Sequence, residues 1–95
     1  MKILALEREL PGATADGFRR HAKDEAQRLW ELVRAGVVRE TYFRVDRNEA
    51  VLVLECRTED EARESLSGLP FVREHLIAFD LIPLQAYPGF ERLFA

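Results

Sequence analysis

The chain has 95 residues, 47% of them hydrophobic and 33% charged, with a formal net charge of −3. That length makes one domain, residues 1–95, and that balance belongs to a folded protein rather than a disordered one. A mildly acidic chain without a basic run speaks against nucleic acid as a partner, and no apolar stretch is long enough to span a membrane.

Residues 2–9 read as a first strand, broken by Pro11-Gly12. Residues 16–35 read as one amphipathic helix, with Thr14 or Asp16 able to cap it and Gly36 placed to end it. Its apolar stripe is Phe18, Ala22, Leu29, Leu32 and Val33, and Glu25 falls in the middle of that stripe, with His21 one turn earlier on its edge. Residues 37–45 and 50–56 are rich in β-branched types and read as a hairpin around the turn 46–49. A turn centred on Arg47-Asn48 sets Phe43 opposite Leu52, Thr41 opposite Leu54 and Arg39 opposite Cys56. Thr58-Glu59-Asp60-Glu61 is a capping box that opens a short helix running to about Ser67. Residues 76–84 form the last strand, and Pro83 near its end suits an edge position, because proline cannot donate to a central ladder. The tail, residues 85–95, carries a Pro88-Gly89 turn followed by Phe90, Leu93 and Phe94.

Strand–helix–strand–strand–helix–strand is the ferredoxin-like α+β arrangement: a four-stranded antiparallel sheet with two helices on one face. The strands are apolar on both faces, as in Ile3-Leu4-Ala5-Leu6 and Val51-Leu52-Val53-Leu54, and two helices cover only one. The predicted cover for the other is a second copy of the sheet, giving a homodimer in which the apolar tail reaches its partner. Cys56 alone cannot close an internal disulfide, and the opening Met1–Glu7 has too short an apolar run for a signal peptide. A cytoplasmic protein is the expectation.

A carboxylate aimed at the core must be paired, protonated or in a pocket. Following the helix back from Gly36 and the next strand forward from it brings Glu25, Arg39, Thr41 and His21 towards one compartment. Three explanations stand side by side, one being that Glu25 simply turns outward at a helix irregularity. Glu25 and Arg39 can form a buried ion pair that fixes packing. Alternatively, Glu25 works as a general acid/base tuned by His21, while Arg39 and Thr41 bind an anionic small-molecule substrate. A second-choice site is the polar patch of Tyr42 and Arg44 with Glu40 and Glu55 on the opposite face. His21 and Glu25 lack a third ligand at a spacing that metal sites use, so no metal is expected, and no phosphate-binding or other cofactor motif is present.

The residues Asp24-Glu25, Leu32, Arg34, Gly36 and Arg39, followed by Leu66 and Leu69-Pro70-Phe71, resemble muconolactone isomerase and its relatives, of the dimeric α+β barrel group. The ending from Tyr87 to Phe94 departs from that enzyme and looks more like another branch of the group. The resemblance implies a cofactor-free isomerase that moves a proton within an unsaturated lactone acid, in oligomers built from barrel dimers, with its pocket between helices and sheet. Glu25 and Arg39 are the matching residues whose chemistry suits such a reaction. Two other functions remain open: a non-catalytic small-molecule-binding or structural oligomer, and a cofactor-free oxygenase or haem-handling protein of the same barrel group.

Overall fold

The structure, a computed structural model, describes residues 1–95. Strand β1 (Lys2–Glu9) is followed by helix α1 (Ala15–Arg34), the hairpin β2 (Val38–Phe43) and β3 (Ala50–Glu55), helices α2 (Glu59–Ser67) and α3 (Pro70–Arg73), and strand β4 (Ile77–Leu84). A short 3₁₀ helix, Pro88–Leu93, lies in the tail. The sheet order is β2-β3-β1-β4, and every neighbouring pair is antiparallel. This is the ferredoxin-like sandwich expected from the order of elements, and the strand that ends in Pro83 lies at an edge.

The caps explain where the helices begin and end. Thr14 accepts the Gly17 amide at 3.0 Å to start α1. At the far end the Gly36 amide bonds the Val33 carbonyl and the Val37 amide the Leu32 carbonyl, a Schellman closure. Gly36 has φ 79°, a conformation that favours glycine, and the chain turns there into β2. Thr58 caps α2 by accepting the Glu61 amide at 3.0 Å. The reciprocal half of the expected capping box is not made; the Glu61 carboxylate goes to Arg57 instead, at 3.3 Å. The sequence reading also passed over α3, whose four residues are too few to show a period.

The core lies between the sheet and the helices, where Ile3, Leu52, Leu54, Leu69, Ile77 and Val38 are fully buried. The opposite sheet face stays uncovered within the protomer: Tyr42 is 56% exposed, and Ile82 and Leu84 are each 41% exposed. Leu4, Leu6, Val51 and Val53 complete that apolar face. The tail stands clear of the body, with Phe90 65% and Phe94 87% exposed.

The hairpin register differs from the expected one. Phe43 faces Ala50 and Thr41 faces Leu52, two residues away from the pairing that a tight turn gives. The connection is longer because the Arg44 amide bonds the Glu49 carbonyl, while the Arg44 guanidinium grips Asp46 at 2.6 and 2.8 Å. Further along, Val38 faces Leu54 but Glu40 faces Val53, so Arg39 is the extra residue of a β-bulge.

Candidate active site

A cavity of about 730 Å³ opens between α1 and the sheet. Eleven of its sixteen lining residues are apolar, and the five polar ones are Glu7, Glu9, Arg19, Glu25 and Asn48. Four phenylalanines, Phe18, Phe43, Phe71 and Phe79, contribute ring surface to the wall. Phe18 and Phe71 meet edge to face with ring centroids 5.0 Å apart, which ties α1 to α3 across one side. A volume of this size, mostly apolar with a few polar groups, suits a small organic ligand. A second hollow of about 150 Å³, between α2 and β4, holds only Arg63 and Ser67 as polar groups.

Glu25 projects from the middle of α1, half-buried against this cavity. Its Oε1 accepts the Phe71 amide at 2.8 Å. Pro70, the first residue of α3, has no amide hydrogen, and Leu69 before it has no side chain that can cap. Glu25 therefore supplies from another helix the acceptor that the first turn of α3 needs. Burial holds the Glu25 carboxyl above its ordinary value of 4.5, against the lowering by the Phe71 amide and the charge of Arg73.

Glu7 comes from β1. It shares the helix-facing parity of Ile3 and Ala5, so the alternation that buries those two turns Glu7 towards the cavity. Its Oε1 accepts the Ala50 amide at 3.2 Å. Burial raises its carboxyl above 4.5; the Ala50 amide lowers it, and the charges of Glu49, Glu25 and Glu9 raise it further. Two half-buried carboxyls, each holding its proton more tightly than usual, thus line one apolar cavity. Nothing in the reading of α1 pointed to Glu7, although its parity on β1 was available as a signal.

The other expected site residues lie elsewhere. Arg39 does not reach Glu25, and no ion pair joins them. The bulge turns it out of the helix-facing row; its Nε donates to the Gly36 carbonyl at 2.5 Å, and its charge acts on Glu55 instead. The packing pair of Glu25 with Arg39 is therefore absent. Thr41 is exposed opposite Leu52 and does not line the cavity. His21 makes no hydrogen bond to Glu25; its ionic partner is Glu74, at 4.0 Å. The second-choice patch does not close into a site. Tyr42 donates to Glu40 at 2.6 Å, but Arg44 is taken up by Asp46, and Glu55 binds the N-terminal ammonium at 2.6 Å. The structure gathers no group of three or more His, Cys, Asp or Glu side chains that could hold a metal ion.

No family model and no curated protein matches the sequence. Solved structures do. The crystal structure of muconolactone isomerase superposes with a TM-score of 0.76 at 16% identity, covering 94% of this chain and 93% of the other. This chain carries the muconolactone isomerase fold. A second structure, 5-chloro-2-hydroxyhydroquinone dehydrochlorinase from Burkholderia phenoliruptrix AC1100 in complex with 2,5-dihydroxybenzoquinone, matches with a TM-score of 0.66 at 16% identity, covering 94% of this chain and 98% of that one. Both similarities extend over nearly the whole chain, so the fold shared with these two structures accounts for every element from β1 to β4. No helix is long and apolar enough to cross a membrane.

Proposed function

We propose that this protein is a cofactor-independent isomerase of the muconolactone isomerase type, moving a proton within a small unsaturated carbonyl compound bound between α1 and the sheet. The observation that carries the reading is Glu25: a half-buried carboxyl with a raised proton affinity, oriented by the Phe71 amide and facing an apolar cavity. As a carboxylate, Glu25 removes a proton from the carbon between the carbonyl and the double bond. The C–H electron pair moves into the conjugated enolate, and its charge gathers on the carbonyl oxygen. Glu7, whose burial favours its neutral form, donates a hydrogen bond to that oxygen when it carries its proton. Glu25, whose acid proton exchanges with water, then delivers a proton to the far end of the three-carbon unit, and both carboxyls end as they began. The name of the structural neighbour, muconolactone isomerase, fits this chemistry.

The working unit in this proposal is a homodimer joined through the outer sheet face, with the tail from residue 85 onwards laid against the partner. The exposed apolar surfaces of Tyr42, Ile82, Leu84 and Phe94 support it. A cytoplasmic setting fits the single, buried, unpaired thiol of Cys56.

The test is proton NMR in D2O with α-angelica lactone, a neutral β,γ-unsaturated lactone. The expected result is migration of the double bond with deuterium entering at the carbon that receives the proton. Glu25→Gln should slow both by at least about 100-fold, and Glu7→Gln should slow them by about 10-fold. Turnover unchanged in Glu25→Gln would remove the mechanism.

A further inference from the structure

We propose that the cavity selects an uncharged, ring-sized carbonyl compound and rejects the analogue bearing a free carboxylate. The proposal rests on the reading of this cavity as the substrate site, and it departs from the anionic substrate that Arg39 was expected to hold.

The charged groups around the cavity carry the argument. Three of its polar lining residues, Glu7, Glu9 and Glu25, are acidic, and the only cation among them is Arg19. Arg19 stands at the rim of α1 with its Nη1 on Asp16 at 2.6 Å, both side chains about three-quarters exposed at 74% and 76%. Its charge is matched at the surface and screened by water. The neighbouring elements supply no other free cation to the interior. From β2, Arg39 binds the Gly36 carbonyl, and Arg44 binds Asp46. From the hairpin turn, Arg47 lies between Asp46 and Glu49. From β1, Arg8 faces the other side of the sheet towards Asp80, and at the end of α3 Arg73 pairs with Glu74. A carboxylate drawn into the cavity would meet Glu25 and Glu7, while the nearby Arg19 and Arg73 stay engaged with Asp16 and Glu74.

A neutral carbonyl compound meets the opposite conditions. The rings of Phe18, Phe43, Phe71 and Phe79 offer flat apolar surface to a ring. They are four of the chain's six phenylalanines; the other two, Phe90 and Phe94, lie in the tail. Oε1 of Glu25 and Oε1 of Glu7 are occupied by the Phe71 and Ala50 amides, which leaves one oxygen of each carboxyl for a ligand. A ligand carboxylate is repelled by whichever of the two carboxyls is ionised, whereas a neutral carbonyl compound is not. With like charges some 5 Å apart and an effective dielectric near 20, the discrimination amounts to about 300-fold, reduced towards about 30-fold by salt.

Binding to the full-length chain tests this without turnover. Methyl phenylacetate, phenylacetate and phenethylamine share one ring and differ in charge, and amide chemical shifts of Ala22, Leu29 and Phe71 report entry to the cavity near neutral pH. The expected result is that the ester binds at least about 30-fold more tightly than the acid, and that Glu7→Gln combined with Glu25→Gln narrows the gap to under about 5-fold. The single Glu7→Gln variant should narrow it in part. Tighter binding of phenylacetate than of the ester would overturn the proposal, as would weaker binding of phenethylamine than of phenylacetate, or no binding of any of the three. Selective ester binding alongside a lack of proton exchange on any lactone would instead leave the charge selectivity standing and remove the isomerase reading.

Discussion

Comparing Glu25→Ala with Glu25→Gln isolates the bond that orients this carboxyl. Both variants delete the same half-buried charge, so its contribution cancels between them. Glutamine keeps a carbonyl oxygen for the Phe71 amide now 2.8 Å from Oε1, whereas alanine leaves that amide, at the start of α3, without an acceptor. An amide deprived of its partner in a partly buried position costs about 1–3 kcal/mol. Alanine's better helix propensity works the other way by about 0.3–0.5 kcal/mol, so the net difference is about 1–2.5 kcal/mol in favour of Gln. For a domain of this size that corresponds to a melting temperature roughly 5–15 °C lower for Glu25→Ala. Calorimetry at one fixed protein concentration measures it, because any oligomerisation makes the midpoint concentration-dependent. Equal melting temperatures would show that the Phe71 amide finds another partner and does not hold Glu25 in place.

Two further outcomes follow from the charges and the surface. Folding raises the proton affinity of Glu7 and Glu25 above the ordinary 4.5, so the folded state holds protons that the unfolded chain has released. Their contribution to stability is present in full below 4.5 and is lost as pH rises through the elevated native values, opposite to a carboxyl in a salt bridge. Urea midpoints measured from about pH 4.5 upwards should therefore fall less in Glu7→Gln/Glu25→Gln than in the parent chain, and an unaltered pH profile in the variant would contradict the raised affinities. On the outer sheet face, Val53→Lys, in the centre of β3, should convert a dimeric sedimentation profile to that of an 11.0 kDa protomer while leaving the circular dichroism unchanged. An unaltered dimer would locate the contact elsewhere.

The fold was legible because its signals are local and mutually consistent. Continuous apolar runs on β1 and β3, the Thr14 and Thr58 caps and Gly36 each depend on a few neighbouring positions, and Lys2–Glu9 is a strand over the very residues expected. The acid on the apolar stripe of α1 was also readable, since helical periodicity fixes which side of α1 Glu25 occupies. Its partners were not. Where Arg39 points depends on one inserted residue in β2, and the hairpin sequence gives no sign of that bulge. A single-residue slip reverses the facing of a side chain, so a small error of register moved a supposed substrate anchor to the outside of the molecule. Glu7 went unremarked for a different reason: on a strand with apolar residues on both faces, the charged run Glu7-Arg8-Glu9 near the end passes for a solvated terminus. The Phe71 amide could not be anticipated because α3 itself was not.

The tail has a consequence for how the chain must be handled. Tyr87 and Phe90 pack against each other edge to face at 5.0 Å, yet they remain 64% and 65% exposed. A greasy peg of this kind beside a bare sheet makes each free copy adhesive, and at high dilution nothing masks it. Losses to vessel walls, detergent sensitivity and coaggregation with other unfinished chains are therefore to be expected wherever copies are scarce, and they should recede as soon as the copies are concentrated enough to shield one another.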